Sequence, residues 1–381
     1  MNIQTTHSDL VNHHLPIVMN THPAMSVGLI SGPGMGKTYL MTHQVKETWA
    51  AANNVEPEEV GVLVYRTADR EAAEFAGLMM PSKNAQGDLE TVAIKPDLVR
   101  KIEDLRAQGF KYIVLVLDEL LQSAPDVQKT LSSVLDRKEN TLGGHDLGGG
   151  IFVCFTGNRQ SDKAGARPAL GHLRNRVIQF ELEGYNDSTV AQWDRDFASK
   201  NGVLPALIDV AKNHACDGFF ADQVPLDGGF NSFRGLTNVS ALISTYIERK
   251  GTTKLDVAMV SLIAAVIGQD AAEIIEDHFD CEGEIPTADE ILRAPDSAML
   301  PDQTGYQNLA GSLALEIAND EQSADAAIKY ITRLRPDLQV QLGVRLISKS
   351  ARLGNILIST TAVDFIKSHT DLIQLAKDIE V

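Results

Sequence analysis

The chain has 381 residues, of which 44% are hydrophobic, a size typical of roughly two or three domains with buried cores. Its formal net charge of −17 argues against nucleic-acid binding, although a local basic channel is compatible with that charge. No stretch approaches the roughly 18 consecutive apolar residues of a membrane span, and the N-terminus shows no secretory signal pattern. The three cysteines are far apart without a CxxC pair, which is typical of reduced thiols in a cytoplasmic protein.

The first half of the chain contains short apolar runs rich in β-branched and aromatic residues, separated by turn signals or helical stretches. The runs are MSVGLI (25–30), GVLVY (61–65), YIVLVL (112–117), IFVCF (151–155) and VIQFEL (177–182). Met41, Val45 and Trp49 recur at helical spacing, which predicts an amphipathic helix over residues 37–53. Alternating buried strands and helices predict an α/β fold with a parallel sheet covered on both faces.

Strand signals stop near residue 184, and the remaining sequence is helical in pattern. Apolar residues recur at helical spacing in segments such as TNVSALISTYIERK (237–250). Residues 281–306 contain several prolines and predict a linker or an extended excursion before a final helical segment.

A glycine-rich segment, SGPGMGKT (31–38), lies directly between the first apolar run and the predicted helix. Glycines let backbone N–H groups approach phosphate oxygens, Lys37 would reach the β- and γ-phosphates, and Thr38 would bind Mg²⁺. Ser31 replaces the usual first glycine of this motif, a change that a small residue should tolerate. The alternative is a strand–helix turn with an incidental Lys-Thr. The predicted nucleotide-binding residues here are Ser31, Gly32, Pro33, Gly34, Met35, Gly36, Lys37 and Thr38.

Two carboxylates, Asp118 and Glu119, end the third apolar run. Ligands of open α/β sheets bind at the carboxyl ends of the strands, so Asp118 would hold Mg²⁺ there. Glu119 would polarise the attacking water. Such a pair often marks only a strand end, but about 80 residues after a phosphate loop it indicates an ATPase site.

Asn158 follows the fourth apolar run, in IFVCFTGNR (151–159). At the end of a buried strand it would help to position the lytic water near the γ-phosphate. Taken alone, an asparagine at this position is as compatible with an ordinary turn.

With these three elements in this order, the chain resembles the AAA+ superfamily and, within it, the MoxR-type ATPases, including those of phages and bacteria. SGPGMGKT is similar to the Walker A motif, LVLDE (115–119) to Walker B, and Asn158 to sensor 1. The resemblance covers roughly residues 20–345. It implies a sheet of five parallel strands followed by a helical lid.

The resemblance also implies roles for three arginines. In LRNRVIQFEL (173–182), Arg176 is the better candidate for an arginine finger and Arg174 the other. Arg234 corresponds to sensor 2 and would connect the lid with the nucleotide. In an acidic chain, the alternative for each is a surface ion pair. The segment 135–150 is similar to the β-hairpin insertion before sensor 1.

The predicted domains are an α/β nucleotide-binding core (1–183), a helical lid (184–280) and a C-terminal helical extension (281–381). The resemblance implies an Mg²⁺-dependent ATPase that remodels a protein partner. It also implies that the ATPase forms a ring-shaped homo-oligomer such as a hexamer. A von Willebrand factor A domain protein is the partner class that it suggests.

Two other functions compete with this prediction. A nucleic-acid motor or loader would use the basic run of Arg159, Lys163, Arg167, Arg174 and Arg176, and DNA or RNA would stimulate its hydrolysis. The run is better explained as the face that carries the arginine finger and meets the acidic phosphate site of the neighbouring subunit. A nucleotide-gated scaffold with little turnover would not need Glu119 and Arg176.

Overall fold

The computed structural model describes residues 2–353 except 22, 78, 84–87, 137, 163–164, 222, 226 and 281–282, together with 364–365 and 367–368. The chain divides into two compact units, residues 1–184 and 185–381. Within the described residues, no helix is both long and apolar enough to cross a membrane.

The first unit contains strands and short helices in alternation. Its described strands, β1 to β10 in chain order, are Ile3–Thr5, Ser26–Ser31, Val60–Arg66, Met79–Lys83, Leu89–Ala93, Tyr112–Asp118, Thr141–Leu142, His145–Asp146, Ile151–Asn158 and Val177–Leu182. Its described α-helices, α1 to α9, are His7–Asp9, Leu15–Met19, Lys37–Thr42, Gln44–Ala52, Ala72–Ala76, Asp97–Ala107, Pro125–Thr130, Ser132–Leu135 and Gly171–Arg174. Short 3₁₀ turns lie at Pro57–Glu59, Leu120–Gln122 and Gln160–Asp162, and a π-helical turn lies at Leu10–His14.

Six strands form one parallel sheet in the order β1-β10-β2-β9-β6-β3. All five predicted strands belong to it, and the predicted fold class, a parallel α/β sheet with a helical remainder, is confirmed. The sixth strand, β1, is an addition at the edge. Its three residues are too few to show a periodic pattern in the sequence.

The sheet is covered by helices on both faces, as the near-continuous apolar strands predict. In β6, Val114 and Val116 face the core under α4, whereas Leu115 and Leu117 face the core under α6. This alternation is the two-residue period of a strand. Because both faces of β2, β6 and β9 are buried, their polar ends are the parts left to form a site.

The helix predicted over 37–53 is present as two helices, α3 and α4. His43 interrupts it, with φ −110° and ψ −69°. Met41, Val45 and Trp49 are buried as predicted, and Trp49 packs against Phe152 of β9 with ring centroids 5.4 Å apart.

Two antiparallel hairpins extend from the first unit. Strands β4 and β5 pair between α5 and α6. Strands β7 and β8 pair within the segment 135–150, where a hairpin was predicted. Gly143 and Gly144 connect β7 to β8 with φ +56° and +80°, the left-handed values that a tight two-residue hairpin turn requires.

The second unit is helical. Its described α-helices, α10 to α18, are Asp187–Trp193, Pro205–Asn213, Phe233–Lys250, Val257–Ile267, Gln269–Phe279, Ala288–Arg293, Thr304–Ile317, Glu321–Ile331 and Pro336–Leu353, and a π-helical turn lies at Asp194–Ala198. Residues from α10 to α18 share one hydrophobic core, so the division at 280 between lid and extension remains a prediction.

The linker prediction for 281–306 is wrong for its central part. Thr287 and Glu290 form a capping box that starts α15, and Ile291 of this helix is fully buried in the core. The capping-box motif T-x-x-E is visible in the sequence and indicates a helix start here, whereas the neighbouring prolines indicate a loop.

Gly28 of β2 provides a test of the packing between the central strands. A Cβ there would lie 2.2 Å from the ring of buried Phe155, so Gly28→Ala should destabilise the first unit by about 1–3 kcal/mol. Urea unfolding followed by Trp49 fluorescence, in a Trp193→Phe background, measures the effect. Gly149→Ala is the control, because its Cβ would meet nothing within 4 Å. Equal unfolding midpoints for the two variants would contradict this account of the packing.

Candidate functional site

The loop between β2 and α3 has the backbone shape that its glycines were predicted to allow. Gly34 and Gly36 have φ +80° and +81°. A Cβ on Gly36 would meet nothing within 4 Å, so the backbone conformation rather than space requires glycine there. Met35 is buried and Pro33 is half-buried. The loop therefore has, at the carboxyl end of the sheet, the glycine-dependent backbone conformation that a phosphate-binding turn uses.

The ammonium of Lys37 folds back onto this loop. It donates to the carbonyl oxygens of Gly32 (2.8 Å) and Ser31 (3.0 Å), to Ser31 Oγ (3.3 Å) and to Asn158 Oδ1 (2.9 Å). Ser31 thus contributes a hydroxyl to the lysine site. These are neutral acceptors, and a phosphate oxygen would be a stronger one.

Asp118 lies at the centre of a group of hydroxyls. Its Oδ1 accepts from Thr38 Oγ1 at 3.2 Å and from Thr156 Oγ1 at 2.5 Å. No cluster of three or more His, Cys, Asp or Glu in the described part of the chain could hold a metal by itself. One carboxylate and one hydroxyl suit Mg²⁺ that brings phosphate oxygens and waters as its other ligands, so the residues fit that ion.

Glu119 has a left-handed backbone, with φ +58° and ψ +32°. For a residue with a side chain this conformation costs about 1–3 kcal/mol, and it persists only where neighbours enforce it. Its N–H donates to Thr156 Oγ1 at 2.9 Å, and its carboxylate pairs with Arg66 Nε at 2.9 Å. Both side chains of the ion pair are partly exposed, so breaking it costs roughly 1 kcal/mol or less.

Arg159 forms one wall of the phosphate loop. Its Nη2 lies 2.8 Å from the position of a Cβ on Gly32, so any side chain at this position would have to displace the guanidinium. Buried Asp162 holds the guanidinium, with Nε 3.4 Å from the carboxylate. Lys163 of the same basic run lies outside the described residues.

The two finger candidates differ in their contacts. Arg176 pairs with Asp136 (3.2 Å) and Glu139 (3.5 Å), and its side chain is 26% exposed. Arg174 is exposed, and its Nε donates to the carbonyl of Ala169 at 3.1 Å. All of these contacts lie within the first unit; they leave the side chain of Arg174 exposed and that of Arg176 partly exposed.

Arg234 lies in the second unit, in the first turn of α12. Ser232 caps this helix by accepting from the N–H of Gly235 at 3.1 Å. The side chain of Arg234 is exposed.

The structure brings together five of the residues predicted from separate motifs. They are Lys37, Thr38, Asp118, Glu119 and Asn158, at the carboxyl ends of β2, β6 and β9. Sequence reasoning missed Thr156, although its position two residues before Asn158 places both on one face of β9. It also missed Arg66, whose only feature in the sequence was a positively charged residue at the end of a predicted strand.

The sequence matches no protein-family model and no curated protein. The solved structures that are similar in fold include three at 12–15% identity. The Aeropyrum pernix ORC2 protein in ADPNP-ADP complexes has a TM-score of 0.42 over 97% of this chain and 92% of that one, at 12% identity. Domain III of the Thermotoga maritima replication initiation protein DnaA has a TM-score of 0.38 over 72% and 93%, at 15% identity. The Aeropyrum pernix ORC1 protein in complex with DNA has a TM-score of 0.36 over 97% and 84%, at 12% identity. Similarity at this level decides neither family nor activity, so both depend on the geometry of the site.

Lys37→Ala tests whether the loop is a phosphate site. Removing the ammonium takes away the cation that the loop holds ready, so ATP affinity should fall about 100-fold, the effect of losing roughly 3 kcal/mol of charged hydrogen bonds. Fluorescence titration with a labelled ATP analogue measures it. Lys46→Ala, on the neighbouring helix α4, is the matched control and should bind as the unmodified chain does. Equal affinities for the two variants would contradict a phosphate site here.

Proposed function

We propose that this chain is an AAA+ ATPase that binds ATP with Mg²⁺ and couples its hydrolysis to the remodelling of a protein partner. One observation carries the proposal. Side chains from three strand ends meet around one loop, with Lys37 2.9 Å from Asn158 and Thr38 3.2 Å from Asp118. Strand β9 lies between β2 and β6, so Asn158 lies between the phosphate loop and the carboxylate pair.

Lys37 and the loop amides would bind the phosphates. The ammonium exchanges the carbonyl oxygens of Ser31 and Gly32 for phosphate oxygens, which are charged and therefore better acceptors. Thr38 and Asp118 are the residues that would hold Mg²⁺. When bound, this ion neutralises the charge that develops on the transferred phosphoryl group.

Glu119 and Asn158 would orient the attacking water. The Glu119 carboxylate accepts the water proton, and the Asn158 amide fixes the position of the water beside the γ-phosphate. In the resting structure Glu119 is paired with Arg66, so the carboxylate must exchange this partner for the water. Because the pair is partly exposed, breaking it for this exchange requires little free energy.

A protein is the partner that the surface supports. The hairpin of β4 and β5 exposes three large apolar side chains, Met79 (67%), Met80 (50%) and Leu89 (78%), which are available for contact with another protein. The net charge of −17 opposes a nucleic-acid track.

The finer assignment to the MoxR-like type depends on the sequence resemblance and on the hairpin β7–β8 before β9. A hexameric ring and a von Willebrand factor A domain partner follow from that resemblance alone. In such a ring Arg176, or else Arg174, reaches the neighbouring nucleotide, and Arg234 on the lid reports the nucleotide state.

Glu119→Gln is the test of hydrolysis. The amide keeps the shape of the carboxylate but cannot accept a proton, so kcat should fall about 100-fold or more while ATP binding is retained. Phosphate release and labelled-nucleotide titration measure the two effects separately. Glu103→Gln on α6 is the control for loss of one carboxylate, since Glu103 pairs only at the surface with Lys95. If Glu119→Gln lost binding as completely as Lys37→Ala, the assigned roles would be wrong.

Arg176→Ala tests for a finger that acts on the neighbouring subunit. Binding should persist while hydrolysis falls about 10³-fold, the usual contribution of such an arginine. Mixing this variant with Lys37→Ala should restore activity, because about one interface in four of a random 1:1 ring then combines an intact pocket with an intact finger. Arg174→Ala, in the same mixtures, identifies which arginine acts.

The outcome of mixing separates the possible failures. No recovery in rings that native mass spectrometry shows to be mixed would mean either action in cis or a requirement for every site. Mixing Arg176→Ala with unmodified chain distinguishes them, because strict coupling would inactivate unmodified subunits, whereas independent sites would only be diluted.

A further inference from the structure

Thr156 is a buried residue that none of the roles above includes. Its side chain is only 1% exposed. A buried hydroxyl destabilises the fold relative to a methyl group unless it forms hydrogen bonds. The Thr156 hydroxyl acts both as a donor and as an acceptor. The hydroxyl donates to Asp118 Oδ1 and accepts the N–H of Glu119, and so joins the two neighbouring residues that the site needs.

The first bond fixes the orientation of a metal ligand. Asp118 Oδ1 receives Thr156 from β9 and Thr38 from α3, so the carboxylate is held from two sides before an ion arrives. Hydrogen bonds of this kind behind a ligating carboxylate set its direction and strengthen the metal site.

The second bond stabilises the strained turn. Glu119 has φ +58°, and its amide is held by Thr156 at 2.9 Å. Since backbone direction decides where a side chain points, the same hydroxyl also directs the Glu119 carboxylate. Gly157 shows how closely β9 approaches this turn, because a Cβ there would lie 2.6 Å from Leu121.

Strand β9 therefore contacts the site twice through one face. Thr156 and Asn158 are two residues apart and lie on the same side, the first against the carboxylate pair and the second against Lys37. A shift of one residue in the pairing of β9 would remove both contacts together.

We propose that Thr156 is a positioning residue that sets the affinity of the site for the divalent ion and the placement of Glu119, without contributing to binding of the nucleotide itself. The inference depends on the proposed ATPase function, since it assigns Thr156 to that reaction. A purely structural hydroxyl would instead affect folding, and nucleotide binding with and without metal would change in parallel.

The test compares Thr156→Val, which keeps the shape and removes the hydrogen bonds, with Thr156→Ser, which keeps the hydroxyl. Mn²⁺ binding is measured by electron paramagnetic resonance in the presence of the non-hydrolysable β,γ-imido analogue of ATP. Affinity for Mn²⁺ should fall about 10- to 100-fold in Thr156→Val, as for other groups that support a metal ligand, and kcat should fall by a similar factor. Binding of a fluorescent ATP analogue in EDTA should be unchanged. Thr156→Ser should restore each value.

Each outcome decides the inference. Unchanged Mn²⁺ affinity in a folded Thr156→Val, or an equal loss of metal-free nucleotide binding, would overturn it, and Thr156→Ala replaces the valine variant if that one does not fold. If the unmodified chain binds Mn²⁺ and nucleotide but does not hydrolyse ATP, the proposed function fails while the Mn²⁺ comparison still decides the metal role of Thr156. If it binds no nucleotide, both fail.

Discussion

The parallel pairing of β9 between β2 and β6 is the constraint on which the site depends. Because all three strands run in the same direction, their carboxyl ends meet at one edge, and each ends in residues that face the phosphate loop. The register pairs Ser31 with Asn158, which brings Asn158 within reach of the Lys37 ammonium. Residues more than 100 positions apart in sequence thereby become neighbours without any loop having to position them.

The charges of the resting site already have partners inside the protein. Lys37 is held by carbonyl oxygens, Glu119 by Arg66, and Arg159 by Asp162. These contacts differ in how readily they can be exchanged. The Glu119 pair is partly exposed and therefore weak. Asp162 is buried, and loss of Arg159 would leave its carboxylate without this counter-charge, so Arg159 is held more firmly. In the proposed ATPase cycle, Glu119 is thus the charged group that can exchange its protein partner most readily.

The strain at Glu119 has a physical explanation in its surroundings. A left-handed residue with a side chain is unfavourable by itself, but here its amide is bonded to Thr156 and its carboxylate to Arg66. The bend turns the chain away from the end of β6 into the 3₁₀ turn at 120–122, whose leucines enter the core. Packing of these leucines stabilises a backbone conformation that the isolated sequence would avoid.

The sequence by itself determined five of the six strands of the central sheet, the glycine loop and the carboxylate pair. Buried strands read as continuous apolar runs, and a loop that binds phosphate needs glycine at fixed positions, so both signals are local. The hairpin in 135–150 was implied by the family resemblance, and the pairing of β7 with β8 agrees with it.

Only the tertiary structure decided the partners of these residues. Thr156 holds Asp118 and Glu119, and Arg66 pairs with Glu119, because strand register brings together side chains that are 37 to 53 positions apart in sequence. The burial of Ile291 in the core of the second unit likewise depends on tertiary packing, although the start of its helix is marked locally by a capping box. Local propensity acts over a few neighbouring residues, whereas a hydrogen bond between strands exists only once the sheet has formed, and this physical difference separates what the sequence predicted from what the fold determined.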